Sequence, residues 1–235
     1  MAERTIDESL LTEIRRPKQM AGMFDSAAKD YDLINTLLSL GQEAGWRRAT
    51  TKALDLKPGD KVLDLAAGTG TSSVALKATG AEVLAADLSP GMAAICRDRH
   101  PEIDYTIANA ISLPIADGVF DAVTMSFGLR NMPDPVAALK EMARVTKPGG
   151  RLVICEFSTP PAAWFRFAYK TWMNTLIPLV ARLSSHPESY YYLVDSIRAW
   201  PRQRAVAGWL VEAGWYDVAF RNLTGGIVAL HRGRR

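Results

Sequence analysis

Apolar positions along this chain change period near residue 60. Before it, from Pro17 onward, Met20, Met23, Phe24, Ala27 and Ala28 recur at helical spacing, followed by Tyr31, Leu33, Ile34, Leu37, Leu38 and Leu40. Two or three short helices are predicted, closed by Gly41 and restarted before Trp46. They have no strand of their own to pair with and must lie over another part of the molecule. Residues 1–56 are therefore read as a helical extension acting as a lid. Asp25, Asp30, Tyr31, Asp32 and Asn35 are embedded there, and helix capping accounts for them as well as function does.

After residue 60, short apolar runs alternate with helical patterns. The runs are Lys61 to Ala66, Glu82 to Ala86, Asp104 to Ala108, Phe120 to Ser126 and Arg151 to Phe157; the helical patterns include Thr71 to Ala78, Gly91 to Arg99 and Pro135 to Val145. Repeated strand-then-helix predicts an α/β domain over residues 57–235 built on a parallel sheet. Ser89 and Pro90 open one helix as N-cap and first helical residue. Lys147-Pro148-Gly149-Gly150 reads as the stop of another. Residues 160–200 carry a broad apolar helical face that a minimal nucleotide fold does not need, and are read as a helical insertion. A helix from Arg202 to Ala213 follows. Trp215 to Asn222 and Ile227 to Arg232, around Thr224-Gly225-Gly226, then read as an antiparallel pair. His231 reads as an edge-strand side chain, and His100 and His186 as loop residues.

Val62-Leu63-Asp64-Leu65-Ala66-Ala67-Gly68-Thr69-Gly70 marks a buried strand turning tightly into a helix, the form of a nucleotide-binding turn. Gly68 and Gly70 let the backbone approach a ligand. A dinucleotide site wants a third glycine, and Ser73 stands there instead. Asp64, at the strand end, would repel a pyrophosphate but pair with an ammonium group. Asp87 lies about 20 residues beyond the turn, where a carboxylate accepts from the two hydroxyls of a ribose. Asn109, past the third strand, is placed to meet a nucleoside base. An amino acid joined to a nucleoside fits this set better than a dinucleotide, and S-adenosyl-L-methionine is such a ligand.

Composition narrows the context. With 235 residues and 48% hydrophobic content, one sizeable core is expected. A net charge of +3 is too mild to imply nucleic acid. The charged first residues contain no apolar signal core, and no stretch reaches the roughly 18–20 apolar residues of a membrane span. A cytoplasmic protein is expected, at most peripheral at the inner face of the cell membrane. Cys96 and Cys155 read as small apolar filler in a reducing compartment. No paired histidine or cysteine spacing suggests a metal.

The glycine turn, followed by Ala-Asp-Leu-Ser-Pro-Gly-Met, Phe-Asp-Ala-Val-Thr and Arg-Val-Thr-Lys-Pro-Gly-Gly-Arg-Leu, resembles the class I S-adenosylmethionine-dependent methyltransferases. Met23-Phe24-Asp25, Tyr31-Asp32-Leu33, Ser126-Phe127-Gly128-Leu129-Arg130-Asn131, Glu156-Phe157-Ser158, Ser196-Ile197-Arg198 and Asn222-Leu223-Thr224-Gly225-Gly226 resemble, more sharply, the C-methyltransferases of ubiquinone and menaquinone biosynthesis. Within them the chain is most similar to the bacterial enzymes that methylate demethylmenaquinone. The resemblance covers about Met20 to Gly233. It implies a Rossmann-like, mostly parallel seven-stranded sheet with an antiparallel final strand and helices on both faces. It also implies Thr69, Asp87, Asn109, Ala110 and Ser126 as cofactor contacts, and a prenylated quinol, demethylmenaquinol, as acceptor. The aromatic residues of 160–200 would line a slot for its isoprenoid tail. Thr71 departs from the family, where an acid often follows the turn; so does Ile115, where an aromatic commonly follows the proline.

Methylating a ring carbon needs alignment and removal of a proton. Arg130 and Asn131 are the candidates for orienting the ring oxygen and stabilising its developing charge, with Tyr31 from the lid against the ring or the cofactor. Arginine is too basic to act directly as a base, so a water held by it would carry the proton. Tail length, benzoquinol against naphthoquinol, a homodimer and membrane contact stay open. So do a different lipophilic acceptor and a non-catalytic cofactor-binding scaffold.

Overall fold

The computed structural model describes residue 22 and residues 41–183 and 187–235, without the side chains of 176–191. Of residues 1–56, read from the sequence as a lid, only 22 and 41–56 are described; Tyr31, Asp25 and Asp32 lie outside the described residues, as does His186.

Helix α1 (Glu43–Leu54) leads into β1 (Lys61–Leu65), α2 (Thr71–Lys77), β2 (Glu82–Asp87), α3 (Pro90–Arg99), β3 (Asp104–Ile107), β4 (Phe120–Ser126), a 3-10 turn (Leu129–Asn131) and α4 (Pro135–Val145). Then follow β5 (Thr146–Phe157), α5 (Ala163–Leu183), α6 (Pro187–Ala199), α7 (Gln203–Glu212), β6 (Tyr216–Leu223) and β7 (Val228–Arg234). The sheet order is β3-β2-β1-β4-β5-β7-β6, with parallel pairing from β3 through β5 and β7 antiparallel to both its neighbours. The strand order reverses between β1 and β4, where a crevice opens at the carboxyl ends of an α/β sheet.

The central strands are apolar on both faces and are covered on both. One core joins Leu63, Leu65, Met125, Leu139, Met142, Leu152 and Trp215; the other joins Trp46, Leu54, Val62, Val83, Val153 and Leu230. Ser89 caps α3 as expected, its Oγ accepting the Met92 N–H at 3.0 Å with Pro90 in the first turn.

Two expectations are corrected. Lys147 to Gly150 do not separate a helix stop from a later strand: Thr146 is already extended and pairs with Phe120, so β5 begins there. Gly149, at φ 76°, takes up an irregular stretch in which its N–H meets the Arg235 carbonyl and the Arg235 N–H donates to Gly150 at 3.0 Å. His231 is no edge residue. On this flank the edge strand is β6, while β7 runs between β5 and β6; His231 is buried, with Nε2 2.9 Å from the Gln203 carbonyl. Burial holds its pKa below the usual histidine value. Cys96 and Cys155 are free and buried.

Candidate active site

A cleft opens at the carboxyl ends of β1 to β4. Asp64, Gly68 and Thr69 line it from β1 and its turn, Asp87 from β2, Asn109 and Ala110 beyond β3, and Ser126, Phe127 and Asn131 from and beyond β4. Every cofactor residue expected from the sequence is there except Gly70, which shapes the turn from behind.

The turn is built on left-handed backbone. Gly68 has φ 57°, and a Cβ there would meet nothing within 4 Å, which leaves the cleft free for close approach. Gly70 has φ 82°, and a Cβ there would fall 2.3 Å from Cys96 Sγ. Only a residue without a side chain fits the turn this close to α3. The Asp87 carboxylate receives the Gly68 N–H on one oxygen and the Ser89 N–H on the other, each at 3.0 Å. Both bonds orient it in the cleft, where a carboxylate suits the two hydroxyls of a diol. Asn109 Oδ1 accepts the Ile111 N–H at 3.2 Å, a local turn that commits the side-chain oxygen and leaves the amide donors for a ligand acceptor.

Asp64 is 1% exposed, and its Oδ2 accepts from Ser73 Oγ at 2.7 Å. Burial first, and the Asp87 charge, push its pKa up to about 7 against the pull of Ser73 and Arg47. A cationic ligand would relieve this costly charge. Arg47 and Glu43, from α1, complete the rim of the cleft. Arg47 Nη1 donates to Glu43 Oε1 at 3.2 Å. Among the described lining residues Arg47 is the one cation, beside the carboxylates of Glu43, Asp64 and Asp87. An ammonium group beside Asp64, a carboxylate beside Arg47, a ribose at Asp87 and a base at Asn109 are the four recognition elements of S-adenosyl-L-methionine, so these residues fit that cofactor.

Arg130 stands elsewhere than expected. It is buried behind the cleft wall and does not line it; Nη1 donates to Glu156 Oε1 at 2.9 Å and to the Phe127 carbonyl at 2.5 Å. The guanidinium lies 5.1 Å over the Phe157 ring. Glu156 also accepts the backbone N–H of Arg130 at 3.2 Å and that of Phe157 at 2.8 Å, and Phe127 keeps a left-handed φ of 57°. Asn131 does face the cleft: Nδ2 donates to the Phe127 carbonyl at 3.4 Å, and Oδ1 accepts from Tyr192 Oη at 3.1 Å.

The match to known proteins is extensive. The model of the ubiE/COQ5 methyltransferase family matches residues 12–235. The chain belongs to this family. It is 58% identical over 218 residues to the demethylmenaquinone methyltransferase of Mycobacterium marinum, covering 92% of this chain and 94% of that one. Against the demethylmenaquinone methyltransferase of Beutenbergia cavernae it is 56% identical over 220 residues, covering 93% and 92%. In fold it is similar to a SAM-dependent methyltransferase of Thermotoga maritima, with a TM-score of 0.66 at 19% identity over 92% of this chain and 99% of that one. As a member of the ubiE/COQ5 family the chain is an S-adenosyl-L-methionine-dependent methyltransferase.

Three residues near the site escaped the sequence reading. Arg47 and Glu43 reach the cleft because α1 packs Trp46, Thr50 and Leu54 inward, with Trp46 Nε1 donating to Thr224 Oγ1 at 2.8 Å. The i,i+4 spacing of Glu43 and Arg47 was visible, but it is an ordinary helix-surface pair until the helix is placed. Tyr192 was seen only as part of an aromatic run.

Proposed function

We propose that this enzyme methylates a ring carbon of demethylmenaquinol, giving menaquinol. The observation carrying the reading is a cleft with a polar half, Asp64, Asp87, Asn109 and Arg47, continued by an apolar side of Phe127, Met132 and Pro133. The names of the relatives that match nearly the whole chain point to the same acceptor. The cofactor supplies an electrophilic methyl group on a sulfonium.

The chain's own residues hold and align. Asp64 takes the cofactor's ammonium, Arg47 its carboxylate, Asp87 the ribose, Asn109 and Ala110 the base, while Gly68, Thr69 and Ser126 line its path and Gly70 sets the turn. Aligned reactants account for up to roughly 7–11 kcal/mol of barrier lowering. Asn131 uses one amide hydrogen on Phe127 and offers the other to the quinol oxygen. Arg130 acts through Phe127 and Glu156 by positioning that loop. Tyr31, from the N-terminal extension of residues 1–56, acts against the ring or the cofactor, and residues 160–200 serve as the substrate-side insertion, with Trp164 and Phe167 outside the cleft.

The test incubates purified protein with methyl-labelled cofactor and reduced demethylmenaquinone, beside the oxidised form and a demethylated ubiquinol precursor. Label in the naphthoquinol is expected. Label in both quinols would make the enzyme common to two pathways; label in neither, with cofactor bound, would overturn the acceptor.

A further inference from the structure

The first turns of helix α5 are apolar on two sides. Its inner side is anchored: Phe165 closes over Gly225, where a Cβ would stand 2.3 Å from the ring, and Arg166 Nη1 donates to the Pro160 carbonyl at 3.1 Å. Tyr169, Trp172 and Met173 pack with Phe157, Leu193, Val194 and Ile197. On the outer side Trp164 and Phe167, three residues apart, are 76% and 75% exposed. Further along, the exposed side turns polar with Lys170, Thr171, Asn174 and Thr175. The exposed aromatics of the first turns form a local apolar patch of the kind that marks a contact surface.

Charge selects among the surfaces that could cover it. From Ala163 to Leu183 the sequence holds Arg166, Lys170 and Arg182 and no acidic residue. Lys170 is exposed beside the two aromatics. Trp and Phe flanked by basic side chains suit the boundary of an anionic bilayer, where rings sit at headgroup depth and lysines meet lipid phosphates. No described helix is long and apolar enough to cross a membrane, so the contact would be peripheral. The helix also connects to the cleft, since Phe157 of its inner cluster lies 4.9 Å from Phe127 of the cleft wall.

We propose that Trp164, Phe167 and Lys170 form a docking surface for an anionic lipid bilayer, bringing the cleft to a membrane-dissolved acceptor. This deepens the quinol reading and rests on it for the acceptor alone.

The test sediments the full chain with vesicles of phosphatidylglycerol and phosphatidylcholine, and with phosphatidylcholine alone. Binding to the anionic vesicles, weakened by salt, is expected. Trp164→Ser with Phe167→Ser should lower it at least about tenfold, and Lys170→Glu should remove much of the preference for anionic lipid. Cofactor binding and methylation of a short-tailed, water-soluble quinol should stay within about twofold of the parent in the double variant, since these residues lie outside the cleft. Vesicle binding unchanged in the double variant, or absent in the parent, overturns the surface. A parent dimer that the double variant converts to monomer, with no vesicle binding by either, overturns it in favour of a second copy. Vesicle binding without methylation of any quinol upholds the surface and overturns the acceptor.

Discussion

Arg130 and Glu156 form a 2.9 Å ion pair with side chains 5% and 1% exposed, directly behind the wall of the cofactor cleft. Because Glu156 also accepts the backbone N–H of Arg130, and Arg130 also donates to the Phe127 carbonyl, the pair ties the end of β4 to the end of β5. Removing either partner strands a buried charge, at a cost of about 3–5 kcal/mol. Glu156→Gln and Arg130→Met should each lower the midpoint of urea unfolding. Arg130→Met combined with Glu156→Leu should regain much of the loss without regaining kcat, because the loop carrying Asn131 would stay unanchored. Recovery of kcat along with stability would show that the pair serves folding alone.

Asp64 makes cofactor binding pH-dependent. Below about pH 7 the cofactor-free enzyme holds this carboxyl protonated, so binding an ammonium there must expel the proton. Cofactor Kd should fall as pH rises towards and through 7, with proton release seen in calorimetry below it, and Asp64→Asn should flatten the profile while weakening binding.

The same group acts oppositely on the stability of the cofactor-free fold. Its folded pKa of about 7 lies above its ordinary value of 3.8, so the folded state binds the proton more tightly than the unfolded chain. This contribution is fully present below about pH 4 and is lost as pH rises to about 7. Asp64→Asn should remove that decline, measured as the difference in unfolding free energy between pH 5 and pH 7.5.

Arg47 should matter for one end of the cofactor only. Arg47→Ala is expected to weaken S-adenosyl-L-methionine about 10- to 100-fold, the range of a charge-assisted hydrogen bond, and to leave a decarboxylated analogue nearly unaffected. Equal losses for both ligands, by titration calorimetry, would place the carboxylate elsewhere.

Gly70→Ala should destabilise the fold by about 2–4 kcal/mol, from its φ of 82° and the 2.3 Å approach to Cys96 Sγ. Adding Cys96→Ala relieves the contact but not the backbone conformation. Thermal unfolding should therefore show partial recovery.

Strands, most helices and the residues that line the cleft were legible because each rests on local signals: apolar runs, a glycine turn, an N-cap with proline. Arg130 was misplaced for the opposite reason. Its position just past a strand end reads as the ligand edge, and the partner that buries Arg130 is 26 positions away. The available clue was Glu156 itself, an acid within the apolar strand Val153 to Phe157, which demands a cation nearby. Arg47 gave no comparable clue, since only the docking of Trp46 and Leu54 turns it towards the cleft. His231 was misread because strand order in the sheet does not follow order in the chain.

That last mismatch bears on how the molecule assembles. β7 is made after β6 yet lies between it and β5, so one flank of the sheet cannot zip up in the order of synthesis. Until residues 228–234 arrive, the outer rim of β5 is left as an unpaired template, and the nascent chain passes through a sticky stage at which chaperone capture or strand exchange competes with self-completion.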